Sequence, residues 1–111
     1  MDTTEVGDAV VVRPGDDLDL LGYQSLEEKI TALAHQGVRK IVLDLGRVSY
    51  ANSFTTRVLS RLEAKLKGSG GTIVLARLGG GARVAFDAGG VLKTARVFKT
   101  VEEAIAALSA S

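Results

Sequence analysis

The chain has 111 residues with 14 basic and 13 acidic side chains, so its formal net charge is +1. This balance argues against a nucleic-acid or anionic-membrane surface, and the length suffices for one compact domain but not for two. The absence of cysteine excludes disulfides, thiolate catalysis and cysteine-based metal sites, and agrees with a reducing cytosol. The polar segment Met1–Glu5 has no apolar signal core behind it, and no apolar run approaches the roughly 20 residues of a membrane helix. We therefore expect a single cytoplasmic domain over residues 1–111 with no membrane partner.

The first part of the chain predicts two strands and a helix. Ala9–Arg13 is short, apolar and β-branched, as in a buried strand. A turn separates it from Leu18–Leu21, which is predicted as a short second strand. Ser25 and Glu28 then form a capping box, so we predict that the first helix runs from Ser25 to about Gln36 and ends at the glycine that follows.

From Val38 onward, predicted strands alternate with predicted helices. The strands are Val38–Leu45, Thr72–Ala76 and Ala95–Lys99, and the helices are Ser53–Lys67, Ala82–Ala88 and one that begins at a second capping box, Thr100–Glu103. The central strands are continuous apolar runs, which is typical of strands that are covered on both faces and paired at least partly in parallel. We therefore predict an α/β domain with a mixed central sheet of four to five strands, about four helices and right-handed crossovers.

Ser53 stands where the strand that ends near Leu45 gives way to a helix. Backbone N–H groups are unpaired at such a position and the helix dipole favours negative charge, so a phosphate on Ser53 would be held by geometry that the fold supplies. The alternative is that Asn52, a good N-cap residue, caps the helix and Ser53 is simply its first residue.

Other motifs that carry catalysis or nucleotide binding are incomplete. His35 is the only histidine and is predicted at the exposed end of the first helix, and no Gly-x-Ser-x-Gly elbow surrounds Ser53. Gly79–Gly81 lacks the Lys-Ser or Lys-Thr of a phosphate-binding loop and is interpreted as a strand-to-helix turn. We therefore expect a chain that is not an enzyme, with no catalytic residue and no cofactor.

Four aspartates, some of them close in sequence, raise the alternative of a metal site: Asp16, Asp17, Asp19 and Asp44. They have no histidine near them and do not show the spacing of a calcium loop. Turn chemistry and a solvated strand end explain them better, so no metal is expected.

From Ala9 to Leu108, the chain resembles a STAS domain, the fold of bacterial anti-sigma-factor antagonists. The element order matches, and four local cues agree: Leu18-Asp19, Ile41–Leu45, Gly70–Leu75 and Thr100–Ile105. The key loop of that family reads Asp-Ser-(Ser/Thr)-Gly-Leu-Gly, and a partner kinase phosphorylates the serine after the aspartate. Asn52–Arg57 matches this loop and places Ser53 on the phosphorylated position. Asn52 replaces the aspartate and Thr55 the glycine, and the loop is similar to that of the scaffold STAS proteins of stressosomes.

The resemblance implies a non-enzymatic regulatory module that acts by partner switching with an anti-sigma factor or serine kinase of the ATP-binding, histidine-kinase-like class. It implies phosphorylation at Ser53 and a partner surface made by Asp19, Asn52, Ser53, Phe54, Thr55, Thr56 and Arg57. For Thr55 and Thr56 the alternative role is local hydrogen bonding in the first helical turn. The alternative function is a constitutive scaffold subunit of a stressosome-like or transporter assembly, with other STAS proteins as partners.

Overall fold

Helices cover both faces of a five-stranded sheet in the computed structural model of the chain. The structure describes residues 1–15, 17–18 and 20–109, and for residues 17, 20, 50 and 53–55 it describes the backbone. The strands are β1 (Asp2–Val6), β2 (Ala9–Arg13), β3 (Asp17–Leu18), β4 (Lys40–Asp44), β5 (Tyr50–Ala51), β6 (Thr72–Ala76) and β7 (Val97–Phe98). The helices are α1 (Leu20–His35), α2 (Ser53–Gly68), α3 (Gly80–Ala88) and α4 (Val101–Ser109), with a 3₁₀ turn at Val91–Lys93.

The five strands of the main sheet lie in the order β1-β2-β4-β6-β7, and β3 pairs with β5 in a second, two-stranded sheet. Neighbours from β2 to β7 are parallel, whereas β1 is antiparallel to β2. The apolar runs of β2, β4 and β6 are buried at the centre of the sheet. The predicted α/β class, mixed sheet and number of helices are therefore confirmed.

Successive residues of each central strand point to opposite faces of the sheet. Ile41 and Leu43 belong to the larger core, which also contains the buried residues of α1, α2 and α3. Val42 and Val74 belong to a smaller core under α4. Because side chains alternate between the two faces along a strand, Asp44 lies on the same face of the sheet as Val42. This is the face that α4 covers.

The helix ends follow two of the sequence signals closely. Gly37 has a φ of 93°, and its N–H and that of Val38 donate to the carbonyls of Ala34 and Leu33 at 3.1 and 3.0 Å. This is the Schellman arrangement, which satisfies the last carbonyls of α1 and requires a left-handed residue. At the other end of the chain, the Thr100 hydroxyl oxygen accepts the Glu103 N–H at 3.1 Å, as predicted for a capping box.

The start of α1 differs from the prediction. The helix begins at Leu20, so Leu18 of the predicted strand Leu18–Leu21 lies in β3, whereas Leu20 and Leu21 belong to α1. The Ser25 capping box lies inside the helix. Tyr23 and Leu26 are both buried, and with Ile30 they continue the apolar face of the helix toward its N-terminus. Burial of this extra turn outweighs a local capping signal, which contributes only about 1 kcal/mol.

The sheet also contains a strand that the sequence did not predict. All five residues of β1 are exposed, so the hydrophobic pattern of a buried strand is absent from Asp2–Val6. The strand forms because Gly7, with a φ of 61°, and Asp8 make a two-residue hairpin loop that aligns Val6 with Ala9. At the other edge, β7 is shorter than the predicted strand Ala95–Lys99.

One polar side chain ties α2 to α3 inside the larger core. Thr56 is fully buried, and its hydroxyl donates to the Ala85 carbonyl of α3 at 3.2 Å. This partner is 29 residues away, so the Thr56 hydroxyl has a role beyond the local hydrogen bonding in the first helical turn that was its alternative role. The Ala85 carbonyl also accepts the Gly89 N–H at 2.9 Å. Thr56 therefore fixes the first turn of α2 against its neighbour.

We predict that Thr56→Val lowers the free energy of unfolding by about 1 kcal/mol, because one buried hydrogen bond is lost while the shape is kept and the Ala85 carbonyl keeps its other donor. Urea denaturation of both variants measures this. Thr72→Val, at an exposed threonine of β6, is the matched control and should change stability by less than about 0.5 kcal/mol. Equal stabilities of the two variants would show that the Thr56 hydroxyl contributes nothing.

Candidate partner-binding site

The candidate site lies at the carboxyl end of the parallel strands. Residues 14–19 follow β2, and residues 45–52 connect β4 to α2. The parallel pairing of β3 with β5 joins these two segments, with Leu18 in register with Ala51. The starts of α1 and α2 are therefore brought together at one edge of the sheet, where ligand and partner sites of α/β folds commonly lie.

Ser53 is the first residue of α2, as the sequence predicted. The carbonyl of Asn52 accepts the Thr56 N–H at 3.0 Å, which is the bond that an N-cap residue makes. Asn52 is exposed. The N–H groups of the first turn of α2 and the positive end of the helix dipole therefore lie at Ser53. This geometry fits both a phosphate at Ser53 and a plain helix start.

The predicted site residues have different positions in the structure. Asn52 and Arg57 are exposed, and the backbone of Ser53, Phe54 and Thr55 forms the first turn of α2. Asp19 lies outside the described residues. Thr56 is buried against α3, so a partner cannot reach its hydroxyl while this packing persists. The structure thus separates Thr56, which holds the turn in place, from the residues that face solvent.

A line of positive charge continues from Ser53 along the exposed side of α2. Arg57, Arg61 and Lys65 are all exposed and follow Ser53 at intervals of four residues. Residues four apart are neighbours on a helix surface, so these three form a basic ridge along α2. The ridge borders an open groove of about 720 Å³, whose other wall includes Glu27 and Glu28 of α1. The groove between α1 and α2 therefore carries both basic and acidic groups.

The end of β4 departs most from the sequence-based interpretation. The sequence predicts a solvated strand end at Asp44, but its side chain is only 2% exposed. One oxygen, Oδ2, accepts bonds from Arg13 and Arg77 at 3.1 and 3.2 Å, and Oδ1 accepts the Gly46 N–H at 3.0 Å. A buried carboxylate needs such partners, since an unpaired charge in the interior is strongly unfavourable. A single aspartate at the end of an apolar strand was the only sequence signal for this cluster.

An exposed apolar residue near the site was also missed. Leu21, in the first turn of α1, is 71% exposed. It follows β3 closely, so it stands next to the paired segments that lead into α1 and α2. No sequence signal identifies it, because its position depends on where α1 begins.

By its side chains and helices, the described part of the chain offers neither a candidate metal centre nor a candidate membrane span. Residues 1–15, 17–18 and 20–109 contain no group of three or more histidine, cysteine, aspartate or glutamate side chains that could hold a metal ion. None of the helices in these same ranges has the length and apolar character needed to cross a membrane.

Comparison with known proteins identifies the family. The model of the STAS domain family matches residues 1–104. A Bordetella bronchiseptica protein named "Putative anti-sigma factor antagonist BtrV" is 34% identical over 84 residues, which are 76% of this chain and 72% of that protein. The structure of the anti-sigma factor antagonist SpoIIAA in its unphosphorylated form superposes with a TM-score of 0.81 at 26% identity, over 99% of this chain and 96% of that one. Bacillus SpoIIAA in its phosphorylated form superposes with a TM-score of 0.71 at 26% identity, over 96% of this chain and 97% of that one. The chain belongs to the STAS domain family.

Proposed function

We propose that this chain is an anti-sigma-factor antagonist that acts by partner switching and is controlled by phosphorylation at Ser53. The observation that carries the proposal is the position of Ser53 as the first residue of α2, beside an exposed Asn52. The relative SpoIIAA has structures in phosphorylated and unphosphorylated forms, which supports modification as the means of control. The partner is an anti-sigma factor or serine kinase of the ATP-binding, histidine-kinase-like class, met in the cytoplasm.

A phosphate on Ser53 adds negative charge at the N-terminus of α2, where the helix tolerates it. It adds about −1.5 to −2 charges next to the positive end of the α2 dipole, so the isolated domain accommodates it. A docked partner does not, because the added charge would be desolvated or repelled at the interface. A fall in affinity of about 100-fold needs only about 2.8 kcal/mol. Phosphorylation can therefore release the partner without unfolding the domain.

The proposed docking surface includes six of the seven residues that the resemblance implies: Asp19, Asn52, Ser53, Phe54, Thr55 and Arg57. Thr56 contributes from beneath, by holding the first turn of α2 against α3. The basic ridge of Arg57, Arg61 and Lys65 extends this surface along α2. Such a ridge favours a partner that presents acidic side chains, because complementary charge speeds association and rejects wrong partners.

The domain works by binding and not by catalysis. Its relatives are named for antagonism of an anti-sigma factor, which is a binding role. In this scheme the chain is the substrate of its partner kinase, so the phosphoryl-transfer chemistry and any nucleotide belong to the partner.

A scaffold role is the second candidate, and Asn52 favours it. The usual aspartate before the modified serine is absent, which removes a group that a kinase could contact. A constitutive STAS scaffold in a stressosome-like or transporter assembly would bind other STAS proteins or a transporter. Its binding would not depend on the charge at Ser53.

We predict that Ser53→Asp weakens binding of the partner kinase by about ten-fold or more, because one negative charge at the interface costs about 1.4 kcal/mol or more. Wild-type, Ser53→Asp and Ser53→Ala baits are used in parallel pull-downs from lysate of the native host, read by mass spectrometry. Ser53→Ala should capture the kinase as wild type does. Capture of related STAS proteins or a transporter equally by all three baits would establish the scaffold role instead.

We predict that Asn52→Asp raises the rate at which the captured kinase phosphorylates Ser53, because it restores the aspartate of the family's key loop. Incorporation of labelled phosphate into purified domain measures the rate. Asn52→Ser is the control, since serine also caps a helix but carries no charge. An unchanged rate in Asn52→Asp would mean that this kinase does not read the charge at residue 52.

We predict that Arg61→Glu slows association with the captured kinase by about ten-fold or more at low salt, and that the difference narrows at high salt, because charge steering is screened. Lys67→Glu makes the same change in charge on the same helix, at another exposed residue about 120° around the axis from Arg61. Surface plasmon resonance at two salt concentrations compares them. Equal effects of the two variants would rule out the basic ridge as a docking surface.

A further inference from the structure

We propose that Asp44, with Arg13 and Arg77, is a positioning cluster that holds the connection between β4 and α2 in the conformation that presents Ser53. The importance of this conformation for partner binding rests on the function proposed above, whereas the positioning itself does not. The inference concerns a buried charge on the α4 face of the sheet, the face opposite to the core that contains α2.

The cluster joins three segments that are far apart in sequence. Arg13 comes from the end of β2, Arg77 follows β6, and Asp44 ends β4. The carboxylate accepts one hydrogen bond from Arg13 Nε at 3.1 Å and another from the Arg77 guanidinium at 3.2 Å. It also accepts the Gly46 N–H at 3.0 Å, so it fixes the first turn of its own loop. One side chain thus links the carboxyl ends of all three central strands to the start of the connection.

The side chain of Arg77 packs closely against the backbone of Gly46. A Cβ atom placed on Gly46 would overlap the Arg77 guanidinium, so this group packs directly on the glycine. Arg77 adopts a φ of 59°, a left-handed conformation that a non-glycine residue keeps only when its surroundings enforce it. Its N–H donates to the Phe98 carbonyl at 3.0 Å. The backbone of Arg77 is therefore held in an unfavourable conformation that lets its side chain reach both Asp44 and Gly46.

The connection that starts at this cluster is anchored along its length. The Leu45 N–H donates to the Ala76 carbonyl at 2.9 Å, and the Val48 N–H donates to the Leu45 carbonyl at 3.0 Å. The side chains of Leu45 and Val48 are buried in the larger core. At its far end, Ala51 pairs with Leu18 just before α2 begins. Asp44 holds the first turn of this segment through Gly46, and the anchors at Leu45, Val48 and Ala51 continue from it toward Ser53.

The charge of Asp44 serves to position the loop that follows β4. Burial of this strand end does not itself require a charge. The neighbouring residues of β4 are apolar and pack well without hydrogen-bonding side chains. Asparagine at this position has one acceptor oxygen for the donors of Arg13, Arg77 and Gly46, and its own NH2 group would face the two arginines. Asp44→Asn therefore weakens both the arginine contacts and the Gly46 bond while it keeps the size of the side chain. Arg77→Ala removes one of them from the solvent side, where Arg77 is half exposed.

The test is amide hydrogen exchange of the full chain, measured by NMR, for wild type, Asp44→Asn, Arg77→Ala and Asp8→Asn. Asp8 forms an exposed ion pair with Lys40 at 3.0 Å near the opposite end of β4, so Asp8→Asn is a matched loss of one charge and one pair. We expect exchange of the Gly46 and Val48 amides to become at least ten-fold faster in Asp44→Asn and in Arg77→Ala. The Val42 amide, within β4, should keep its protection, and Asp8→Asn should match wild type.

Exchange that is unchanged at Gly46 and Val48 would overturn the proposal, as would an equal loss of protection at Val42. If Asp44→Asn does not fold, Arg77→Ala decides between these outcomes alone.

A second measurement is capture of the partner kinase by each variant. Reduced capture by Asp44→Asn supports the role in presentation of Ser53, and wild-type capture by a variant with a loosened loop overturns that role. If Ser53→Asp also binds as wild type does, the proposed switch fails while faster exchange at Gly46 still establishes the positioning cluster.

Discussion

The constraint on which the rest of the structure depends is the burial of both faces of β2, β4 and β6. Strands whose central residues are all apolar cannot leave one face in water, so helices must cover both sides. Helical connections between neighbouring strands make the pairing parallel and collect the strand ends at one edge of the sheet. Asp44 and the start of α2 at Ser53 lie at this edge for that reason. The location of the candidate site is therefore a consequence of strand composition.

The sequence was sufficient for elements whose signals are local and strong. The apolar strands, the C-terminal glycine of α1 and the Thr100 cap were all predicted because hydrophobic runs and caps act within a few residues. The start of α1 and the existence of β1 were not. The start of α1 depends on burial against residues distant in sequence, and β1 depends on pairing with the edge of β2. The hydrophobic pattern of a single sequence contains neither. Propensity and capping are weak terms, and tertiary packing overrides them.

The candidate site divides in the same way. The position of Ser53 at a helix start could be predicted, since a strand, a loop and an N-cap residue precede it in order. The contacts that hold its surroundings could not, because Thr56 reaches Ala85 and Asp44 reaches Arg13 and Arg77 across about 30 residues of sequence each. These two polar groups lie on opposite faces of the sheet. The helix start is thus held from both sides by hydrogen bonds, while Asn52 and Arg57 beside it face solvent.

The exposed strand β1 has a consequence for the behaviour of the domain in concentrated solution. It adds no side chain to either core, yet it occupies the outer edge of β2, whose residues Val10–Val12 are buried and apolar. An uncovered apolar strand offers its free N–H and carbonyl groups to any similar strand of another chain. The threonines and charged residues of β1 present a polar edge in its place. Residues 2–6 therefore cover the edge of β2 and oppose its pairing with a sheet of another chain. Their loss would lower the solubility of the domain more than it would disturb the packing of its core.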